Sequence, residues 1–285
     1  MPDPLHSHPT PADDAGETAE TAALHDELLE LALEAARRAG ALLRDGRPAD
    51  LGVAATKSSP IDVVTEMDLA SEKLITTFLA ERRPDDGFLG EEGASVDGTS
   101  GVRWVIDPVD GTVNYLYDLP SWAVSIAAEK DGETVVGVVA APMRGETFQA
   151  VRGRGAFKNG ERIRHRPAPP LSQALVGTGF GYLTERRAAQ AEVVRTLLPQ
   201  VRDIRRGGSA AIDLCDAACG RLDAYYERGL NPWDLAAGVL IAEEAGLLTG
   251  GRPGRAPSGE LAVTASPALF GQLQPLLDEL GAWHD

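Results

Sequence analysis

Apolar residues recur along this chain at two different spacings, and the change between them orders the reading. Leu24, Leu28, Leu31 and Ala35 stand three or four apart, which predicts a helix with one buried face over residues 24–43, closed by Gly46. A second stretch predicts a helix over 67–82, stopped before Pro84. Lys57-Ser58-Ser59-Pro60, between the two, reads as a loop. Beyond Pro84 the apolar runs shorten. Residues 87–89 and 103–106 predict short buried strands, the second ending at Asp107. Residues 122–130 and 133–141 flank Asp131-Gly132, a dipeptide that closes two-residue hairpins. A further strand covers 147–151, and Asn159-Gly160 marks another turn before Ile163.

Arg166-Pro167-Ala168-Pro169-Pro170 reads as a domain junction. After it, strands at 174–178, 222–226 and 261–264 alternate with helices at 185–198, 210–219, 233–245 and 267–280. This order predicts an N-terminal α+β half over 23–165 and a C-terminal α/β half over 166–285. Residues 1–22 are rich in Pro, Ala, Thr, Asp and Glu, lack a hydrophobic period, and read as a disordered tail.

Composition narrows the choice of partner. The 285 residues suffice for one large domain or two smaller ones, and the formal net charge is −16. That sign argues against nucleic acid or an anionic membrane as the main partner. An acidic chain that handles an anionic substrate needs local positive charge, and bound metal ions are the simplest source. Cys215 and Cys219 share one face of a predicted helix, too far apart along its axis for an ordinary disulfide, as expected of thiols in a reducing cytoplasm. The N-terminus shows no basic region followed by an apolar one, and no apolar run approaches the ~20 residues a membrane span needs. The histidines His6, His8, His25, His165 and His284 avoid every motif, which argues against zinc or a phosphohistidine.

The candidate chemistry belongs to carboxylates. Asp107 and Asp110 leave the end of a buried strand, with Pro108 fixing one φ angle between them and Gly111 allowing the backbone close to a ligand. Two ionised acids three residues apart in such a turn repel unless a cation lies between them, and Mg²⁺ suits oxygen ligands of this kind. The Val109 carbonyl is a plausible further ligand. Gly90-Glu91-Glu92-Gly93 also follows a predicted strand, and Asp68 and Asp234 lie early in helices, where an acid alone is ordinarily a cap. Arg205-Arg206-Gly207-Gly208-Ser209-Ala210-Ala211 opens a helix whose free N–H groups could meet an anion or a hydroxyl.

Taken together, these segments resemble the inositol monophosphatase family. The resemblance rests on Asp107-Pro108-Val109-Asp110-Gly111-Thr112 with Asn114-Tyr115, and on Trp233-Asp234-Leu235-Ala236-Ala237-Gly238 with Glu243-Glu244-Ala245-Gly246. Gly90-Glu91-Glu92, Lys57-Ser58-Ser59-Pro60, Asp62-Val63-Val64-Thr65 and Asp68 fit in order and spacing, so that it covers about residues 25 to 280. It implies a layered αβαβα sugar-phosphatase fold, two or three Mg²⁺ ions, lithium sensitivity and a homodimer. Carried over, Glu91, Asp107 and the Val109 carbonyl hold one metal, Asp107, Asp110 and Asp234 a second, and Glu92 contributes to a weaker third. Asp68 and Thr112 orient and help deprotonate the attacking water, and Gly111 and Thr112 amides hold phosphate oxygens. Gly208, Ser209 and Ala210 contact the sugar ring, with Ser209 where many relatives have Thr. Glu227, after Ala224-Tyr225-Tyr226, accepts substrate hydroxyls and so selects a polyol.

The expected activity is therefore hydrolysis of a small phosphorylated polyol, inositol monophosphate first. Histidinol phosphate, fructose 1,6-bisphosphate and NADP are the alternatives within the superfamily, and Arg206 keeps a second phosphate open. A different role, as a non-catalytic partner in RNA-processing complexes, is known among such proteins, but neither the charge nor the intact acid set favours it here.

Overall fold

The computed structural model describes residues 17–284, so the predicted tail over 1–16, with His6 and His8, lies outside the described residues. The rest of that tail prediction is corrected. The first helix, α1 (Ala19–Asp45), begins five residues earlier than its apolar period, because the Thr18 hydroxyl caps the Thr21 amide. Arg154 then ties the start down through Glu17 at 2.9 Å and Asp26 at 2.5 Å.

A small hairpin of β1 (Ala55–Thr56) and β2 (Val63–Val64) carries the predicted 57–60 loop, and α2 (Glu66–Ala80) follows. The strands β3 (Gly87–Gly90), β4 (Ser95–Val96) and β5 (Val102–Asp110) come next, then a short helix α3 (Thr112–Leu116). After these run β6 (Ala123–Lys130), β7 (Glu133–Ala141), β8 (Glu146–Val151), β9 (Gly155–Lys158) and β10 (Glu161–Ile163). They form one eight-stranded sheet in the order β10-β9-β8-β7-β6-β5-β3-β4. Both predicted turns are there: Asp131 and Gly132, like Asn159 and Gly160, take the positive φ angles a two-residue hairpin requires.

The second half supplies β11 (Leu175–Thr178), α4 (Thr184–Leu197), β12 (Asp203–Arg205), α5 (Ala210–Ala218), β13 (Ala224–Glu227), α6 (Pro232–Glu244), β14 (Leu248–Gly250), β15 (Ala262–Ala265) and α7 (Pro267–Glu279). Its sheet runs β12-β11-β13-β15-β14; β11 pairs parallel with β12 and β13, while β15 pairs antiparallel with β13 and β14. It is thus mixed rather than wholly parallel.

Side chains alternate across β5 and join separate cores. Trp104 and Ile106 pack with Leu28, Ala32, Ile75 and Leu79 of α1 and α2, while Val105 packs with Ile212, Ala237 and Leu240 of α5 and α6. The far side of the α5–α6 layer meets the small sheet through Leu214, Leu235 and Tyr225. The last layer, α4 and α7, buries Val193, Leu197, Leu269 and Leu273 against Val176 and Val263. The result is the αβαβα sandwich expected from the resemblance, with one helix pair serving both sheets. Among the described residues, no helix is long and apolar enough to cross a membrane.

One local expectation changes. The strand does not stop at Asp107 but continues to Asp110, with its pairing to β6 slipping register between those two residues. Pro108 has no N–H to give to a neighbouring strand, so the slip falls where the ladder must break anyway. The irregularity sits beside the site it serves.

Candidate active site

Strand and helix ends from both sheets converge on one cavity of about 460 Å³. Glu91 follows β3; Asp107 and Asp110 occupy the broken end of β5; Thr112 starts α3; Glu227 ends β13; Asp234 opens α6. Carboxylate oxygens of Asp107, Asp110 and Asp234 all lie within 4.8 Å of one another. Asp107 is 1% exposed and Asp110 7%, so water screens this repulsion poorly. Burial pushes both acids and Asp234 up from their ordinary pKa, and the neighbouring carboxylates add to the rise for Asp107 and Asp234. Glu91 is raised as well, again first by burial.

Three features make the crowding tolerable. Helix N-termini aim at it: Asp68 accepts from the Thr65 amide at 3.0 Å, Asp234 from the Asn231 amide at 2.6 Å, and Asp110 from the Ala211 amide at 2.7 Å. Ser209, the cap of α5, donates to Asp110 at 2.5 Å while accepting from Ile212 at 3.2 Å. Lys57 reaches Glu91 at 2.8 Å and Glu92 at 2.7 Å. Those two acids outweigh the burial of Lys57 and hold its proton more firmly than on an exposed lysine. Lys57 has no ion pair to the other three acids, which fit a hard divalent cation by their all-oxygen donor set.

Asp68 is fully buried behind Thr112 and does not line the cavity. Its Oδ2 accepts from the Thr65 amide and hydroxyl, leaving Oδ1 to accept from the Thr112 hydroxyl at 3.1 Å. The same hydroxyl stands 3.1 Å from the Val109 carbonyl, and its single proton can serve only one acceptor at a time. Burial lifts Asp68 to about 6 despite the bonds from Thr65.

Of the predicted contact residues, Gly111, Thr112, Gly208, Ala210, Glu227 and Asp234 line the cavity. Ser209 is only 2% exposed and stands behind Asp110, its hydroxyl engaged with that acid and the helix start. We therefore expect Ser209→Ala to cost about 1–2 kcal/mol, the worth of a helix cap, measured by urea unfolding without metal, and Ser209→Thr to restore most of it. Glu92 also stays outside the cavity lining, held by Lys57.

Glu227 lies under Gly179, where a Cβ would fall 1.9 Å from the carboxylate oxygen Oε2. It accepts from the Tyr225 hydroxyl at 2.6 Å, two residues back on the same strand face. Burial lifts it to about 7, against the pull of Tyr225 and Arg206.

Several participants escaped the sequence reading. Glu72 accepts from the Glu92 amide at 2.8 Å and the Ala94 amide at 3.0 Å, fixing the turn that presents Glu91. Gly90 gives it room, since a Cβ there would approach Glu72 Oε2 to 2.2 Å. The four-residue spacing from Asp68, which puts both on one helix face, was the available signal. The segment 179–183 and Arg186 also line the cavity. Their only cue was position, directly after the C-terminal end of a strand, where ligands gather in α/β sheets. Cys215 and Cys219 are free thiols, as expected.

Comparison with known proteins agrees with this geometry. The profile of the inositol monophosphatase family matches residues 24–280. The chain is 48% identical over 234 residues to the inositol-1-monophosphatase SuhB of Mycobacterium tuberculosis, covering 78% of this chain and 80% of that one. It is 42% identical over 221 residues to the Nus factor SuhB of Escherichia coli, covering 77% and 83%. Among solved structures, the extragenic suppressor protein suhB of Bartonella henselae superposes with a TM-score of 0.83 at 35% identity, covering 89% of this chain and 99% of that one. The Thermotoga maritima IMPase superposes with a TM-score of 0.80 at 30% identity, covering 89% and 98%. Sequence profile, relatives and fold agree: the chain belongs to the inositol monophosphatase family.

Proposed function

We propose that the protein is a Mg²⁺-dependent phosphomonoesterase of phosphorylated polyols, with inositol monophosphate as a substrate. The observation that carries this reading is the convergence of Asp107, Asp110 and Asp234 within 4.8 Å, beside a Thr112 hydroxyl backed by Asp68. Glu91, Asp107 and the Val109 carbonyl would hold one ion and Asp107, Asp110 and Asp234 another, with Glu92 at most contributing to a third. Bound there, Mg²⁺ supplies positive charge for the phosphate oxygens and lowers the pKa of water.

The chain's own residues do the rest. Asp68 orients the Thr112 hydroxyl so that its oxygen can take a proton from the attacking water while its own proton passes to the Asp68 carboxylate. Gly111 and Thr112 line the cavity, and their amides would donate to phosphate oxygens. Glu227 receives ring hydroxyls, and Tyr225 fixes its orientation. The acid set that binds metal also distinguishes this reading from a purely non-catalytic partner role, which requires none of it.

At fixed Mg²⁺, phosphate release from inositol 1-phosphate should exceed that from histidinol phosphate and from NADP. Faster release from histidinol phosphate would replace the polyol with a cationic substrate. For Glu227→Gln we expect KM for inositol 1-phosphate to rise about ten-fold or more, as a charge-assisted hydrogen bond becomes a neutral one, with a smaller change in kcat. Steady-state kinetics separate the two.

A further inference from the structure

Two guanidinium groups face the cavity without an acidic partner. Several other arginines of this acid-rich chain meet a carboxylate: Arg144 with Asp216 at 2.8 Å, Arg154 with Asp26 at 2.5 Å, Arg166 with Asp223 at 2.8 Å. Arg206 lines the cavity, is exposed to it, and makes no hydrogen bond or ion pair among the described residues. A Cβ on Gly208 would meet Arg206 Nη1 at 2.4 Å, so this guanidinium lies against the loop that opens α5.

Arg186 is the more telling of the two. It stands in the first turn of α4 and lines the same cavity. Its Nε is buried and has no hydrogen-bond partner among the described residues. A buried donor without a partner opposes folding, and one on a cavity wall can be satisfied by an anion that enters the cavity. Two glycines from separate segments make room for this side chain. A Cβ on Gly181 would meet Arg186 Cδ at 2.7 Å, and one on Gly229 would meet Nη1 at 2.6 Å. The one lysine on the cavity wall, Lys57, is already committed to Glu91 and Glu92.

We infer that Arg186 and Arg206 form a subsite for a second phosphate, so that the preferred substrate is a polyol carrying two phosphate groups. The inference rests on the reading of the site as a polyol-phosphate hydrolase and sharpens its substrate class. A planar guanidinium matches phosphate by two parallel N–H bonds, which a ring hydroxyl cannot accept in the same way. The phosphate to be cleaved goes to the carboxylate end, where cations are supplied by metal. The distal one needs cations supplied by the protein, and on the cavity wall Arg186 and Arg206 have no acidic partner among the described residues.

Steady-state kinetics on the wild-type protein with Mg²⁺, using inositol 1-phosphate against inositol 1,4-bisphosphate and fructose 1-phosphate against fructose 1,6-bisphosphate, test this. The expected result is a KM about ten-fold or more lower for the bisphosphate in at least one pair, the effect of one charged hydrogen-bonding partner. Arg186→Gln and Arg206→Gln should each erode that ratio by a similar factor, raising the bisphosphate KM more than the monophosphate KM. Equal KM values within both wild-type pairs would overturn the subsite, while turnover of the monophosphates would still uphold the polyol-phosphatase reading. If none of the four esters is hydrolysed, both fall. The wild-type comparison decides the matter even if a variant fails to fold.

Discussion

Asp107→Asn should lower Mg²⁺-dependent phosphate release about a thousand-fold and at the same time stabilise the metal-free protein. The loss follows from its place between both groups of metal ligands, since metal charge stabilisation is worth several kcal/mol and each 1.4 kcal/mol is ten-fold in rate. The gain follows from the same crowding. Asp107 is buried among Glu91, Asp110 and Asp234, and its carboxyl is pushed well above the ordinary range. An amide keeps the oxygen that accepts from the Val109 N–H at 3.0 Å while removing one negative charge. Without metal this should add about 1–3 kcal/mol, the scale of one or two pKa steps of relieved repulsion. The sign has a pH signature. Asp68 at about 6, Glu227 at about 7 and Asp213 at about 8 titrate above the usual carboxylate value in the folded protein, as do the raised metal-ligand acids. Between pH 4 and these values the folded chain binds more protons than the unfolded one, so these groups make stability fall as pH rises. Thermal unfolding without metal should therefore show a falling midpoint from pH 5 to pH 8, less steep in Asp107→Asn. Added Mg²⁺ should restore the wild type most at pH 8. A midpoint that rises over this range would contradict the crowding account.

The second large effect falls on Thr112. Thr112→Val keeps the shape and removes the hydroxyl that Asp68 orients. We expect kcat to fall about 100- to 10,000-fold, the range of positioned proton transfer, while Mg²⁺ affinity measured by calorimetry changes little. Thr112→Ser, which keeps the hydroxyl, should recover most of the loss. Asp68→Asn is a less clean probe, because Asp68 also caps α2 through Thr65. If Thr112→Val retained near wild-type kcat, the water would have to find its base elsewhere, and the Asp68–Thr112 pair would be structural.

How much of this was legible beforehand depended on how local its cause was. Helices with a clear apolar face, the hairpins at Asp131-Gly132 and Asn159-Gly160, and the acids in short motifs were all visible from neighbouring residues. The α1 start was missed because Ala19–Thr21 carries no large apolar side chain; the Thr18 cap and the Arg154 tether hold it. Two short strands, β12 and β14, are set by pairing with segments well separated along the chain rather than by their own sequence, and the two-residue β4 is too short to show a period. At the site, Asp107, Asp110 and Asp234 could be named, but not that Ser209 would turn toward Asp110 or that Lys57 would span Glu91 and Glu92. Arg186 was invisible because its meaning lies in the partner it lacks, which only packing can show.

The central claim is that the carboxylate cluster works by holding metal. Phosphate release from inositol 1-phosphate should be followed as purified protein is stripped with a chelator and then titrated with Mg²⁺. The account predicts a fall to background on chelation and saturable recovery with Mg²⁺, absent in Asp107→Asn. Hydrolysis that persisted unchanged in excess chelator would contradict it.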